Sequence, residues 1–250
     1  MSRLAINRLL GLETLRLDIG CKRVGLRLGT QLTTGKLPTP LQSGIPSIEA
    51  VDALRKTMIA LCAPLPSKKR VMEVTLSDHL ARSWIVERLS GLASPAEIEA
   101  VAEAQMRETY GDPSGNDAAW VIRLDATPFA NRWPAMAVPK VLLDLLMEIA
   151  DQYDCRVGKI QTRFVHRFNA WRVNPFHRSK RVIFSLDTPD GLTIGIRNGE
   201  QWQALRTHPP LAMLGVDLPA MLRRECRIVG LNLDDCKVHP LRWLDAGTSS

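Results

Sequence analysis

Residues 14–30 read TLRLDIGCKRVGLRLGT, a stretch with the pattern of two strands joined by a tight turn. Apolar and polar residues alternate before Gly20, and they alternate again after it. Such alternation is typical of a strand with one buried face, and glycine permits the backbone angles of a tight turn. We therefore predict a β-hairpin here, followed in residues 31–46 by a loop with a short third strand.

The same pattern returns later in the chain. Residues 182–196 alternate in the same way around a turn at 187–191, and Asn198 and Gly199 predict a further turn into a third strand. LDTPDGLTIGIRNG thus has the order of residue classes of LDIGCKRVGLRLG. The repeat indicates an α/β protein with two related lobes.

Helices and strands alternate between and after the two hairpins. Ser47 predicts the N-cap of one helix, and Ser94 with Glu97 predicts the start of another that runs to Tyr110. Residues 139–154 form the clearest amphipathic helix of the sequence. One side of that helix carries Val141, Leu142, Leu145, Leu146 and Ile149. Strands are predicted near 71–76, 120–124, 134–138, 157–160, 202–206 and 238–244, and helices at 163–172 and 218–229.

Composition excludes several classes of protein. The longest apolar stretch, around residues 141–150, is interrupted by two acids and falls short of the roughly 20 residues that span a bilayer. The five cysteines form no CxxC pair, and the histidines form no HExxH motif. We therefore expect a cytoplasmic protein with no transmembrane segment, no disulfide framework and no metal site.

Charge is distributed unevenly along the chain. Residues 1–154 carry 18 basic and 18 acidic side chains, so the net charge of +7 comes from the 15 basic and 8 acidic side chains that follow. Residues 156–181, which we call the basic tract, hold eight Lys or Arg and no acid. A tract of this kind favours an acidic partner. Its aromatic residues are typical either of a surface that stacks bases or of a helix that packs them in the core, and the common stripe of Phe164, Phe168 and Trp171 favours packing.

Ser77, Asp78 and His79 have the residue types of a hydrolase triad. Consecutive residues on an extended strand point to opposite faces, so we expect no triad here. The sequence also lacks GxSxG, P-loop and GxGxxG motifs.

The two hairpin sequences, with LSDHLARSWIV, WVIRLD, AMAVPKVLLDLLMEIADQYDCRV and NGEQWQALR between and after them, resemble actin-like proteins with a duplicated ribonuclease-H-like fold. The likeness covers most of residues 14–245 and is greatest to the PilM pilus-assembly proteins and to the cytoplasmic part of GspL from type II secretion. It implies a first lobe with its crossing helix at residues 1–173 and a second, shortened lobe at 174–250.

In that superfamily the turn after each first strand holds nucleotide phosphates and Mg²⁺. The resemblance therefore makes Asp18, Gly20 and Asp187 the candidate residues of a remnant nucleotide site. Cys21, Lys22 and Arg23 replace the small hydroxyl residues usual in the first turn. In the second, Pro189 offers no backbone N–H to a phosphate, and the chain stops soon after the helix of the second lobe. We therefore expect no cofactor, with weak binding of ATP and Mg²⁺ as the alternative.

The resemblance implies a non-catalytic cytoplasmic assembly component of a type IV pilus or type II secretion platform, peripheral at the inner membrane. In the resembling pilus proteins, the cytoplasmic tail of a membrane protein docks on the fold. The basic tract offers Arg163, Arg167 and Arg172 as residues to meet such an inner-membrane partner. The alternatives are a nucleic-acid-binding protein that uses the basic tract and a weak actin-like ATPase.

Overall fold

The computed structural model describes residues 12–88, 94–110, 120–125, 131–172 and 180–243. Contacts divide the chain into two compact units. Unit 1 contains Met1–Leu80, Pro139–His166 and Leu244–Ser250, and unit 2 contains Ala81–Val138 and Arg167–Trp243. The predicted domain boundary between residues 173 and 174, which follows the sequence repeat, stays a prediction.

The described residues form strands and helices in alternation. The strands are β1 (Glu13–Ile19), β2 (Arg23–Leu28), β3 (Gln31–Lys36), β4 (Arg70–Leu76), β5 (Arg82–Glu87), β6 (Trp120–Leu124), β7 (Arg132–Pro139), β8 (Cys155–Thr162), β9 (Arg181–Thr188), β10 (Gly191–Asn198), β11 (Gln201–His208) and β12 (Lys237–Leu241). The helices are α1 (Ile48–Cys62), α2 (Pro95–Tyr110), α3 (Lys140–Gln152), α4 (Arg163–Arg172), α5 (Leu211–Leu214) and α6 (Leu218–Ile228).

Unit 1 is built on a five-stranded sheet in the order β3-β2-β1-β4-β8. The first three strands form an antiparallel meander, and β4 and β8 run parallel to β1. The predicted first hairpin is therefore confirmed, with Ile19 opposite Val24 at its turn. Helix α1 packs against β2 and β3, and α3 packs against β8 and α1. This places apolar faces of both helices over the sheet.

The N-termini of α1 and α2 form as their residues predict. The Ser47 hydroxyl accepts a hydrogen bond from the Ala50 backbone N–H at 3.3 Å. In unit 2, Ser94 and Glu97 form a reciprocal capping box, with distances of 3.2 and 2.9 Å. Each arrangement satisfies backbone donors that the first turn of a helix leaves free.

Unit 2 contains a four-stranded sheet in the order β11-β10-β9-β12. Strands β9, β10 and β11 form an antiparallel meander, and β12 lies parallel to β9 after the helix α6. This repeats the β-β-β-α-β order of unit 1, with four strands among the described residues instead of five. The duplicated ribonuclease-H-like class, with a shortened second copy, is therefore confirmed.

A second, three-stranded sheet of unit 2 has the order β5-β7-β6. Helix α2 packs against β5 and β6 around a core of small and aromatic residues. Trp84 and Trp133 are both buried in that core. The apolar residues of β5 and β6 are therefore explained by packing against the amphipathic helix α2.

Two details of the predicted elements are wrong, and two observed elements, β5 and α5, were not predicted. Val141 is 36% exposed, because the buried stripe of α3 begins at Leu142. Asp78–Leu80 form a 3₁₀ turn and not an extended strand. The short helix α5 had no predicted counterpart, because four residues are too few for a helical period to be recognised.

Candidate functional site

The turn between β1 and β2 is held by backbone hydrogen bonds within unit 1. The Gly20 N–H donates to the Arg23 carbonyl at 2.8 Å, which closes the turn. The carbonyls of Cys21 and Lys22 accept from residues beyond β3, and the Ile19 carbonyl accepts from the Ser77 N–H at 2.7 Å. The turn is therefore anchored to the loop after β3 and to the end of β4.

The Asp18 carboxylate at the end of β1 forms an ion pair with Arg163, the first residue of α4. The guanidinium donates through Nε to Oδ1 at 3.0 Å and through Nη2 to Oδ2 at 3.2 Å. The Arg163 side chain is only 5% exposed, and that of Asp18 is 19% exposed. This is the paired geometry in which a planar guanidinium binds a carboxylate with both oxygens.

A second buried carboxylate lies at the same end of the sheet. Asp78 follows β4, and both of its oxygens accept from the Phe164 N–H at 3.1 Å. Burial raises the pKa of Asp78 to about 6, while hydrogen bonds from Thr162 and Phe164 and the charge of Arg163 act in the opposite direction. The carboxylate thus occupies the N-terminus of α4, where the helix dipole favours negative charge.

Asp18 and Asp78 come together because they follow or end two adjacent parallel strands, β1 and β4. Carboxylates grouped in this way commonly hold a cation, and here Arg163 supplies a cationic group from the chain itself. Among the described residues, no group of three or more His, Cys, Asp or Glu has an arrangement that would hold a metal ion. The arrangement positions α4; it contains no nucleophile next to a base.

The second hairpin turn, in unit 2, has a different character. Asp187 is exposed near the end of β9, where it lies opposite Leu192 of β10. Pro189 and Asp190 form the two-residue turn, and the Thr188 hydroxyl donates to the Gly191 carbonyl at 2.9 Å. Asp187 is therefore a side chain at a solvent-exposed turn.

The aromatic face of α4 packs into the core, as the sequence favours. In unit 2, Phe168 lies 5.2 Å from Phe184 and 4.9 Å from Trp202, measured between ring centroids. Trp171 lies 4.6 Å from Phe184. In unit 1, Phe164 is 1% exposed. The buried rings of Phe164 and Phe168 cannot stack on bases, Trp171 is half-buried, and Phe176 of the basic tract lies outside the described residues.

The arginines of α4 differ in exposure. Arg172 is exposed and Arg167 is half-buried, but Arg163 is buried against Asp18. Arg163 was offered with the other two as a residue to meet a partner, but its guanidinium is buried and bound to Asp18 inside unit 1. A residue that the sequence analysis missed, Arg197, lies over the rings of Phe168 and Trp202 at 5.8 and 5.6 Å. Burial and then the charge of Arg172 lower the pKa of Arg197.

Unit 2 also contains a cavity of about 900 Å³ between β5, α2, β11 and the end of α6. Several polar groups of its lining have partners, and Arg132 also forms an ion pair with Glu87. Arg206 donates to the buried Glu225 at 2.6 Å, and Arg132 donates to Gln203 at 2.6 Å. The cavity has volume for a ligand, and Arg206 and His208 of its wall both lie against the buried Glu225.

The fold of this chain is similar to the folds of several solved structures. A protein from Bacteroides thetaiotaomicron, described as having an actin-like ATPase fold and unknown function, matches at a TM-score of 0.60 with 9% identity, over 98% of this chain and 86% of that chain. The chain has an actin-like fold. A match at such low sequence identity shows a shared fold and does not show a shared function. No protein-family model matches the chain, and no curated protein matches it by sequence.

Two further solved structures are similar to this chain. The PilM–PilN type IV pilus biogenesis complex matches at a TM-score of 0.55 with 16% identity, over 87% of this chain and 71% of that one. The cytoplasmic domain of EpsL, an inner-membrane component of the type II secretion system of Vibrio cholerae, matches at 0.50 with 11% identity, over 93% and 83% of the two chains. The suspected likeness to PilM and GspL is thus supported at the level of the fold.

Within the actin-like fold of this chain, two of the residues at the first turn have defined positions. Asp18 carries the ion pair with Arg163, and Gly20 is buried in the turn. Asp78 was not predicted as a partner of α4, because it lies 86 positions before Phe164 and no local capping pattern contains such a contact. Among the described residues, no helix is long and apolar enough to cross a membrane.

Proposed function

We propose that this protein is a cytoplasmic, non-catalytic assembly component of a type IV pilus or type II secretion machine. It acts by binding the cytoplasmic segment of an inner-membrane protein. The actin-like fold that it shares with the PilM–PilN structure and with the EpsL cytoplasmic domain supports the class of protein. Membership of either machine, and the partner itself, are parts of the proposal.

The ion pair between Arg163 and Asp18 is the main support for a non-catalytic role. A magnesium ion on Asp18 requires the guanidinium to leave a carboxylate that it contacts with two hydrogen bonds. Removing one member of a buried ion pair typically costs about 3–5 kcal/mol. Nucleotide binding through Asp18 would have to supply that free energy before any net affinity appeared.

The proposed docking surface is the exposed side of α4 with its neighbour on β10. Arg167 and Arg172 supply positive charge, and Arg197 lies close enough to Arg172 for their charges to interact. An acidic peptide segment relieves this repulsion between like charges. Arg163, the third arginine that we expected there, is excluded from the surface by its burial.

Recruitment to membranes tests the proposal. The double variant Arg167→Glu, Arg172→Glu reverses two charges without touching the buried face of α4. Each exposed ion pair contributes at most about 1 kcal/mol, so we expect the two reversals to weaken binding of the membrane partner by about ten- to thirtyfold. Arg27→Glu, Lys36→Glu is the matched control, because both cations are exposed on unit 1.

Circular dichroism must show that both double variants fold before the result is interpreted. A folded α4 variant that captures the same membrane protein as the native chain does would exclude this surface. If no membrane protein is captured by the native chain, the assembly role itself is wrong. A steep salt dependence of binding to RNA or DNA would instead favour the nucleic-acid alternative.

A further inference from the structure

Residues 211–228 of unit 2 place exposed apolar side chains next to exposed arginines. Met213 is 78% exposed, Val216 is 42% exposed and Leu214 is 36% exposed. These large apolar residues lie on α5 and in the turn that joins it to α6. Exposed apolar residues are ordinary when they are scattered singly, but a group of this kind indicates an interaction surface.

Local backbone geometry fixes this apolar tip. Gly215 ends α5 in the left-handed region with φ of 64°, and Asp217 begins α6 by accepting a hydrogen bond from the Ala220 N–H at 2.7 Å. Leu211 and Leu218 pack against the core of unit 2 on either side of the tip. Met213, Leu214 and Val216 are thus held outward between two anchored leucines.

The outward face of α6 is basic. Its buried face carries Met221, Leu222, Glu225 and Cys226. Arg223, Arg224 and Arg227 lie exposed on the other side and form no ion pair with any residue that the structure describes. The single acid of that helix, Glu225, is turned inward and paired with Arg206.

The tip and the arginines lie close together along the chain, on α5 with its following turn and on α6. Arg223 is five residues after the start of α6 at Leu218, which corresponds to about 8 Å of helix rise. The acid in this interval is Asp217, whose carboxylate caps the helix. The surface therefore combines protruding apolar side chains with three cations over a short distance.

We propose that this α5–α6 surface contacts an anionic lipid bilayer directly. Apolar side chains that enter the boundary between headgroups and acyl chains, with arginines that meet lipid phosphates, are the two components of interfacial membrane binding. An acidic protein segment would bind the arginines, but its charge would not explain why the apolar tip protrudes. The proposal does not depend on the protein partner proposed above, because it uses a different surface.

Flotation of the purified full chain with lipid vesicles tests this surface. We expect the native protein to float with vesicles that contain phosphatidylglycerol and to remain in solution with vesicles of phosphatidylcholine alone. Two variants address the two components separately: Met213→Ser, Val216→Ser for the tip, and Arg223→Gln, Arg224→Gln, Arg227→Gln for the charges. Each should lower the bound fraction at a fixed lipid concentration, with partition reduced on the order of a hundredfold for the three charges.

Matched controls on unit 1 separate this surface from general stickiness or charge. Ile45→Ser, Ile48→Ser removes two other exposed apolar residues, and Arg27→Gln, Lys36→Gln, Lys56→Gln removes three other exposed cations. Both controls should float as the native chain does. Absence of native flotation with anionic vesicles at low salt, or equal losses in the controls, would overturn the proposal. So would variants of α5–α6 that bind vesicles normally but fail to capture a membrane protein.

Discussion

At the ends of β1 and β4, two carboxylates lie around the first residue of α4. Asp18 is bound by the side chain of Arg163, and Asp78 is bound by the backbone of Phe164. The same guanidinium lowers the cost of keeping Asp78 charged. The contacts of Asp18, Asp78 and Arg163 explain why the start of α4 is fixed against the sheet of unit 1.

Asp18→Leu tests the ion pair at this position. The substitution leaves the buried guanidinium of Arg163 without its carboxylate, so we expect the free energy of unfolding to fall by about 3 kcal/mol. The double variant Asp18→Leu, Arg163→Met replaces both charges by apolar side chains and should lose less than about 1 kcal/mol. Urea denaturation measures both values. Equal losses in the single and double variants would show that the two charges do not act as a pair.

Asp78 predicts a distinct pH dependence. Its pKa is about 6 in the folded protein, against an ordinary value of 3.8, so the folded state holds this proton more tightly than the unfolded chain. Its contribution to stability is therefore greatest below about pH 4 and decreases by about 3 kcal/mol in all as the pH rises through about 6. Asp78→Asn replaces the carboxyl group by an amide, which does not titrate in this pH range.

The measurement is urea denaturation of the native chain and Asp78→Asn between pH 4 and pH 7.5. Subtracting the two curves cancels the contribution of the other carboxylates, whose pH dependence both proteins share. We expect the variant to gain stability relative to the native chain as the pH rises. A difference that is constant over this range would mean that Asp78 titrates as it does in the unfolded chain.

Only some residues of this site could be predicted from the sequence. Asp18 and Gly20 were recognised because the hairpin pattern and the actin-like resemblance both locate the first turn. Asp78 was missed as a partner of α4 because the apolar alternation of β4 suggested that the strand continued through it. Arg163 pairs with a residue 145 positions away, and no local pattern contains such a contact.

Helix α4 carries both arginines and aromatic residues that pack in the core. Its arginines gave the sequence a basic tract, while its aromatic residues bury against β9 and β11. The spacing of Phe164, Phe168 and Trp171 correctly favoured packing, because residues at i, i+4 and i+7 share one helical face. Composition alone would have favoured a nucleic-acid surface.

Phe168→Ala tests this packing. The ring is 8% exposed among Phe184 and Trp202, so its removal should lower the free energy of unfolding by about 3 kcal/mol or more. Arg172→Ala, four residues along the same helix, should change stability by less than about 0.5 kcal/mol because its side chain is exposed. Chemical denaturation compares the two. Similar small effects would place the aromatic face in solvent.

Across the whole molecule, the repeated β-β-β-α-β order is the property that the sequence indicated best. Each hairpin is local, and its alternation and turn residues are readable without partners. The order of non-adjacent strands is not local, since β1 beside β4 and β9 beside β12 follow from packing the intervening helices. The fold that the resemblance implied contains such strand pairs. The excess positive charge after residue 154 separately favoured an acidic partner.

Calorimetric titration with Mg²⁺ and ATP tests the central claim, that the chain's own arginine takes the place of a ligand at Asp18. We predict a Kd weaker than about 100 μM, equivalent to about 5.5 kcal/mol of binding free energy. Circular dichroism must first show that Asp18→Asn and Asp187→Asn are folded. A low-micromolar Kd in the native chain that Asp18→Asn abolishes, and Asp187→Asn leaves unchanged, would contradict the account and identify a nucleotide site.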